Sequence, residues 1–127
     1  MLKAINHIQV SIPRGSEERA RQFYCGMLGL HEIPKPDSLA DRGGFWSELG
    51  GLQIHFGAED GVNRELTKAH VAYEVENLAS WRERLARDGF AVLDGIPVPG
   101  MDRLEFRDPF GNRVELLERQ SGKSASG

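Results

Sequence analysis

Two similar segments, INHIQVSIP and KAHVAYEVE, stand 63 residues apart in the 127-residue chain, measured from His7 to His70. Both segments alternate apolar residues with others, as half-buried strands do, and both have a histidine near their start. An internal repeat constrains the fold strongly, because each copy has to form the same supersecondary unit. The chain is therefore expected to contain two units of one architecture.

A helix is predicted after each of these strands. The first has Ser16 as its expected N-cap and ends at Gly29, and the second starts near Asn77 and ends at Gly89. Three more strand-like stretches follow each helix: LHEIP, GFWSEL and LQIHFG in the first half, and FAVLDGI, RLEFRD and NRVELLE in the second. The pattern predicts an α+β fold of two βαβββ modules, at about residues 1–60 and 66–120, within a single domain 1–120. Residues 121–127 are expected to form a flexible tail.

Strand alternation places four metal-ligand residue types on the polar faces of the predicted sheets. The first and last strands of the two modules carry, at equivalent places, His7, His55, His70 and Glu115. A lone strand histidine is more often a structural residue than a ligand, but the set of four favours a metal site. Imidazole and carboxylate together suit Zn, Ni, Fe(II), Mn or Co.

Composition excludes several classes of function. The net charge is −3 with both signs interspersed, so nucleic acid is not an expected partner. No apolar run is long enough for a membrane span, and the N-terminus lacks the apolar region of a signal peptide. Cys25 is the only cysteine, which rules out a disulfide framework. These features predict a soluble cytoplasmic protein.

Four further residues are candidates for substrate binding. Gln9 shares the polar face with His7, and Arg103 shares one face of the penultimate strand with Glu105. An arginine there can hold a carboxylate or phosphate, although a solvated edge strand carrying salt bridges is the alternative interpretation. Trp46, with its neighbour Phe45, is a candidate for the lining of a ligand groove.

The segments INHIQVSI, RQFYCGMLGL, KAHVAYEV and DPFGNRVELLE resemble the vicinal oxygen chelate superfamily, which includes glyoxalases, bleomycin resistance proteins and extradiol dioxygenases. The resemblance extends to about Gln120. It implies two βαβββ modules whose curled mixed sheets form a metal cavity. The family's ligand positions fall on His7, His55, His70 and Glu115. It also implies a homodimer, with sites within one chain or across the subunit interface.

The resemblance leaves several branches of the family open. Glyoxalase I usually has a glutamate where this chain has His55, extradiol dioxygenases have a tyrosine at the position of Glu105, and fosfomycin transferases have a more basic segment than the one around Arg103. The expected activity is metal-assisted lyase or isomerase chemistry on a small vicinal-oxygen substrate, with Glu115 and His55 as catalytic groups. A bleomycin-resistance-type binding protein and a dioxygenase are the alternatives.

Overall fold

The computed structural model describes residues 1–120, which divide into two compact units. The first unit is Met1–Val62, and the second begins at Asn63. The tail predicted for residues 121–127 lies outside the described residues. None of the helices in residues 1–120 is long and apolar enough to cross a membrane.

The first unit has the predicted order of one strand, one helix and three strands. Its elements are β1 (His7–Ile12), α1 (Glu17–Arg21), a π-helical continuation of α1 (Gln22–Met27), β2 (His31–Ile33), a 3₁₀-helix (Asp37–Arg42), β3 (Phe45–Leu49) and β4 (Leu52–Ala58). The four strands form one mixed sheet in the order β1-β4-β3-β2. The first and last strands, β1 and β4, are parallel neighbours, and the other pairs are antiparallel.

The apolar face of this sheet packs against the helix. The ring of Tyr24 lies 4.5 Å from that of Phe56, which stacks in turn on Phe45 at 4.6 Å. Ser16 occupies the predicted N-cap position of α1, but its side chain does not cap the helix. Its hydroxyl donates a 2.5 Å hydrogen bond to the carbonyl of Pro13 instead, because the tight turn before the helix brings that carbonyl within reach.

The second unit repeats the plan with one strand fewer. Its elements are a 3₁₀-helix (Arg64–Leu66), β5 (His70–Glu74), α2 (Leu78–Arg87), β6 (Met101–Arg107) and β7 (Arg113–Arg119). The strand order is β5-β7-β6, with β5 parallel and β6 antiparallel to β7. Helix α2 starts next to Asn77, as predicted. Asn77 also caps it, since its Oδ1 accepts a hydrogen bond from the N–H of Ser80 at 3.2 Å.

The strand predicted at FAVLDGI does not form. Only Leu93 in this segment pairs with β6, through two 2.8 Å hydrogen bonds with Glu105. Asp94 and Gly95 follow directly, and both residue types are depleted in strands. Pro97 and Pro99 come next and have no N–H to donate to a ladder.

The two parallel strand pairs have equivalent registers. In the first sheet His55 lies beside Gln9, two residues after His7. In the second, Glu115 lies beside Ala72, two residues after His70. Residues that are paired in register point to the same face. Each sheet therefore carries two of the four candidate ligands as neighbours on one polar face.

Candidate functional site

His7 and His55 form a stacked pair on the first sheet. Their ring centroids are 4.1 Å apart, and their planes differ by 15°. The indole of Trp46 on β3 stacks beside His55 at 3.8 Å, so three rings stand in a row across neighbouring strands. His55 in the middle is buried and His7 at the end is exposed.

Two side-chain amides fix the hydrogen-bonding roles of these imidazoles. The Oδ1 of Asn6 lies 2.9 Å from Nδ1 of His7, and the Oε1 of Gln53 lies 2.9 Å from Nε2 of His55. An amide oxygen only accepts, so those ring nitrogens donate, and in the neutral form of each ring the lone pair lies on the other nitrogen, Nε2 of His7 and Nδ1 of His55. Burial, with a smaller contribution from the charge of His7, lowers the pKa of His55 and favours its neutral form.

His70 and Glu115 form the corresponding pair on the second sheet. Nε2 of His70 lies 3.4 Å from Oε1 of Glu115. The Nδ1–H of His70 donates to the carbonyl of Lys68 at 2.9 Å, so in the neutral ring the lone pair lies on Nε2. A backbone carbonyl bound to the second ring nitrogen is the usual support of a metal-binding histidine.

The donors fit a divalent metal ion in chemical type. Three imidazoles and one carboxylate form a ligand set suited to several first-row ions. His70 and Glu115 already approach each other with their donor atoms. The rings of His7 and His55 are stacked, so one ion cannot lie in the planes of both rings. The exposed ring of His7 therefore has to turn before it can share an ion with His55. Among residues 1–120 no group of three or more His, Cys, Asp or Glu side chains is placed to hold a metal ion.

Arg103 and Glu105, both predicted to bind substrate, are engaged in ion pairs on the face that carries Glu115. Nη1 of Arg103 lies 3.1 Å from Oε1 of Glu115, and its Nε and Nη2 donate to the carbonyl of Ile96 at 3.1 and 2.8 Å. Glu105 forms an ion pair with Arg113. Arg103 therefore fixes the same carboxylate oxygen that His70 approaches.

Gln9 and Trp46, the other predicted substrate-binding residues, line a cavity of about 800 Å³ within the first unit. The side chain of Gln9 lies over Gly57, where a Cβ would come within 2.4 Å of its Nε2. His7 and His55 also belong to the lining.

Several residues at the site had not been predicted from the sequence. Asn6 and Gln53 orient the histidines, and Gln53 was detectable because it precedes His55 by two residues on the same face. Lys35 and Arg42 reach the cavity from the connection between β2 and β3, where no strand alternation exists to reveal them.

Comparison with known proteins gives the family. The model of the Glyoxalase/Bleomycin resistance protein/Dioxygenase superfamily matches residues 4–116. One similar crystal structure is that of a Bacillus anthracis protein provisionally named a glyoxalase family protein. Compared with this chain it has a TM-score of 0.85 and 39% sequence identity, and the match covers 94% of this chain and 98% of that one. Another is the crystal structure of FosX, a fosfomycin resistance protein of Listeria monocytogenes, in complex with Mn(II) and sulfate. Its comparison with this chain gives a TM-score of 0.74 and 19% identity, and the match covers 95% of this chain and 94% of FosX.

A curated relative gives a further match over part of its length. The Bacillus subtilis (strain 168) protein MhqO, provisionally named a ring-cleaving dioxygenase, is 28% identical over 94% of this chain. The chain spans only 41% of the length of that relative. The fold, the family model and the Bacillus anthracis structure agree with the resemblance seen in the sequence. The chain belongs to the glyoxalase/bleomycin resistance protein/dioxygenase superfamily.

Proposed function

We propose that the protein is a metal-dependent lyase or isomerase of glyoxalase type that acts on a small substrate with two neighbouring oxygens. One observation carries this proposal: donor pairs occupy matching register positions of the two modules, His7 with His55 and His70 with Glu115. Generic polar lining does not require imidazole or carboxylate at all four places. A metal site does.

The proposed ligands are His7, His55, His70 and Glu115, and the proposed ion is Zn, Ni, Fe(II), Mn or Co. The Mn(II) complex of the FosX relative supports a divalent ion in this fold. When bound, such an ion stabilises negative charge that develops on a substrate oxygen.

His55 and Glu115 are the proposed proton carriers. The neutral ring of His55 keeps a lone pair on Nδ1, while Gln53 holds its Nε2–H. A buried, oriented and unprotonated imidazole meets the requirements of a general base. On the second sheet Arg103 fixes the orientation of the Glu115 carboxylate. His55 serves as a base only where it does not ligate the ion, so its two proposed roles are alternatives.

An assay on metal-free protein reloaded with each ion tests the proposal. Hemithioacetals and catechols are offered as substrates, and we expect turnover that depends on the metal and falls at least about 100-fold in Glu115→Gln. Glu74→Gln is the control, because Glu74 is exposed and pairs with Arg119 outside the site. Full activity of Glu115→Gln would remove Glu115 from the mechanism.

A non-catalytic small-molecule binding protein is the second candidate. The cavity with its row of rings favours it, since a concave site lined by aromatic and polar side chains can hold a small organic ligand without any metal. Metal content separates the candidates. Less than about 0.1 ion per chain after incubation with Zn, Ni, Mn and Fe(II) would support binding without metal.

The proposed assembly is a homodimer with a two-fold axis, and the proposed location is the cytoplasm. Light scattering at micromolar concentration checks the assembly. We expect twice the mass of one chain, and the mass of a monomer would refute the dimer.

A further inference from the structure

The cavity of the first unit has a wall that the proposed chemistry does not use. Its floor is the polar face of the sheet, including the ring row of His7, His55 and Trp46. Its other wall comes from residues 35–43, in the connection between β2 and β3, and from Arg14. A volume of about 800 Å³ suits a ligand of small-molecule size.

The charge of the lining is opposite to that of the whole chain. Three cations, Arg14, Lys35 and Arg42, face the cavity together with one carboxylate, Asp41. If histidines are counted as neutral in both cases, the lining carries a net charge of about +2, whereas the whole chain carries −3. A concave site of one sign raises the local concentration of ligands of the opposite sign.

The cations differ in how far they are already engaged. Nε of Arg14 lies 3.8 Å from Oδ2 of Asp60, and both side chains are two-thirds exposed. Lys35 donates to the carbonyl of Gly43 at 2.5 Å and keeps two further N–H groups. Arg42 forms no hydrogen bond or ion pair with any residue in the described part of the chain.

The ring row adds aromatic ring edges to this positive wall. Since the three rings stack on one another from neighbouring strands, they present mainly their edges to the cavity. Ring edges carry the positive part of the aromatic quadrupole, while the ring N–H groups of His7 and His55 already face the side-chain oxygens of Asn6 and Gln53. An oxygen-rich anion complements both walls.

We propose that this cavity binds a small organic oxyanion, a carboxylate or a phosphate ester. Arg42 and Lys35 hold the anionic group, and the rest of the ligand lies against the row of Trp46, His55 and His7. Arg42 is the main anchor, because a guanidinium can donate two parallel hydrogen bonds to such a group. The inference rests on the proposed function in one respect. His7 and His55 belong both to this cavity and to the proposed metal site, so an anion bound here is the class of substrate on which that metal site acts.

A single-tryptophan protein provides the test. The chain has two tryptophans, so Trp81→Phe leaves Trp46 in the cavity as the sole fluorescent reporter. In this background, fluorescence and calorimetry follow titration with benzoate, phenyl phosphate and neutral benzamide. We expect the anions to bind at least about tenfold more tightly than benzamide, because hydrogen bonds to charged groups are the stronger ones. Benzoate and phenyl phosphate distinguish the two classes of oxyanion.

Charge-neutralising variants identify the anchors. The substitutions Arg42→Gln and Lys35→Gln are each expected to reduce the affinity for the preferred anion about tenfold. Arg87→Gln, on α2 outside the lining, makes the same change of net charge and is expected to have no effect. Equal binding of benzoate, phenyl phosphate and benzamide would overturn the proposal, as would wild-type affinity in both cavity variants.

Chelator-treated protein and Glu115→Ala separate this inference from the metal hypothesis. Anion binding that persists without metal supports the site even if the proposed metal chemistry fails. Anion binding that requires a loaded metal would overturn it, because the anion would then be held by the ion and not by Arg42 and Lys35. Normal metal loading without any preference for anions would refute this inference alone.

Discussion

Glu115 is a buried carboxylate within a strand of core residues. Val114 and Leu116 on either side of it face the apolar core, while Glu115 faces the polar side and is only 6% exposed. A buried charge is costly unless it is paired. Arg103 provides that pairing, and the guanidinium is held in place by the carbonyl of Ile96.

Loss of Arg103 is expected to destabilise the second unit. Arg103→Ala leaves Glu115 with His70 as its one polar contact in the described structure, and we expect a loss of about 2–3 kcal/mol. Denaturant unfolding of the variant and the wild type measures this loss of free energy of unfolding. Arg119→Ala is the control, since the Arg119–Glu74 pair is exposed and its loss is expected to cost less than about 1 kcal/mol.

A double-mutant cycle isolates the pair itself. If Arg103 and Glu115 stabilise each other, the double alanine variant is less destabilised than the sum of the two single variants. Additivity within about 0.5 kcal/mol would show that the two side chains act independently and would contradict this interpretation.

At the scale of elements, alternation predicted the faces and failed to predict one strand. The polar positions of His7, His55, His70 and Glu115 followed from the backbone alone, because successive strand residues point to opposite sides. Pairing depends on what surrounds a segment, so FAVLDGI looked like a strand but forms only one bridge. The ring row and the Arg103–Glu115 pair depend on contacts between distant segments, which no local pattern encodes.

Gly44 sets how closely the start of β3 approaches β4. Its φ is +77°, and an added Cβ would lie 2.0 Å from the carbonyl oxygen of Phe56. Gly44→Ala is expected to cost at least about 3 kcal/mol, from the strained φ and from this overlap. Gly50→Ala, with φ +61° and no atom within 4 Å, should cost only about 1 kcal/mol. Equal losses of thermal stability in the two variants would contradict the steric argument.

Glu17 links α1 to the start of β3 and should make stability depend on pH. The hydrogen bond that its carboxylate accepts from the N–H of Gly44, at 2.8 Å, lowers the pKa of Glu17 below its usual 4.5. The unfolded chain therefore takes up this proton at a higher pH than the folded chain does. The stabilisation is complete above about pH 4.5 and is lost as the pH falls through the lowered folded-state pKa.

Glu17→Gln is expected to lose about 1 kcal/mol at neutral pH. Its deficit relative to the wild type should shrink as the pH falls below 4.5. Unfolding curves across this range measure the difference. Glu18→Gln, at the exposed neighbouring position, should follow the wild-type profile. A Glu17→Gln deficit that stays constant with pH would contradict the assignment.

At the scale of the whole molecule, the two modules have the same topology but carry different chemistry. The first unit supplies two stacked imidazoles and a cationic cavity, and the second supplies an imidazole beside a buried carboxylate. Neither pair alone completes the usual coordination of a transition metal in a protein. The proposed activity therefore requires the side chains of both modules.

Metal stoichiometry of histidine and glutamate variants tests the central proposal most directly. Mass spectrometry of protein equilibrated with Zn, Ni, Mn or Fe(II) should find about one ion per chain in the wild type. His31→Ala, which removes the one histidine outside the proposed ligand set, should retain that ion. His70→Ala and Glu115→Ala should each reduce metal affinity by more than about tenfold. Full occupancy in Glu115→Ala, or no bound ion in the wild type, would contradict the proposed metal site.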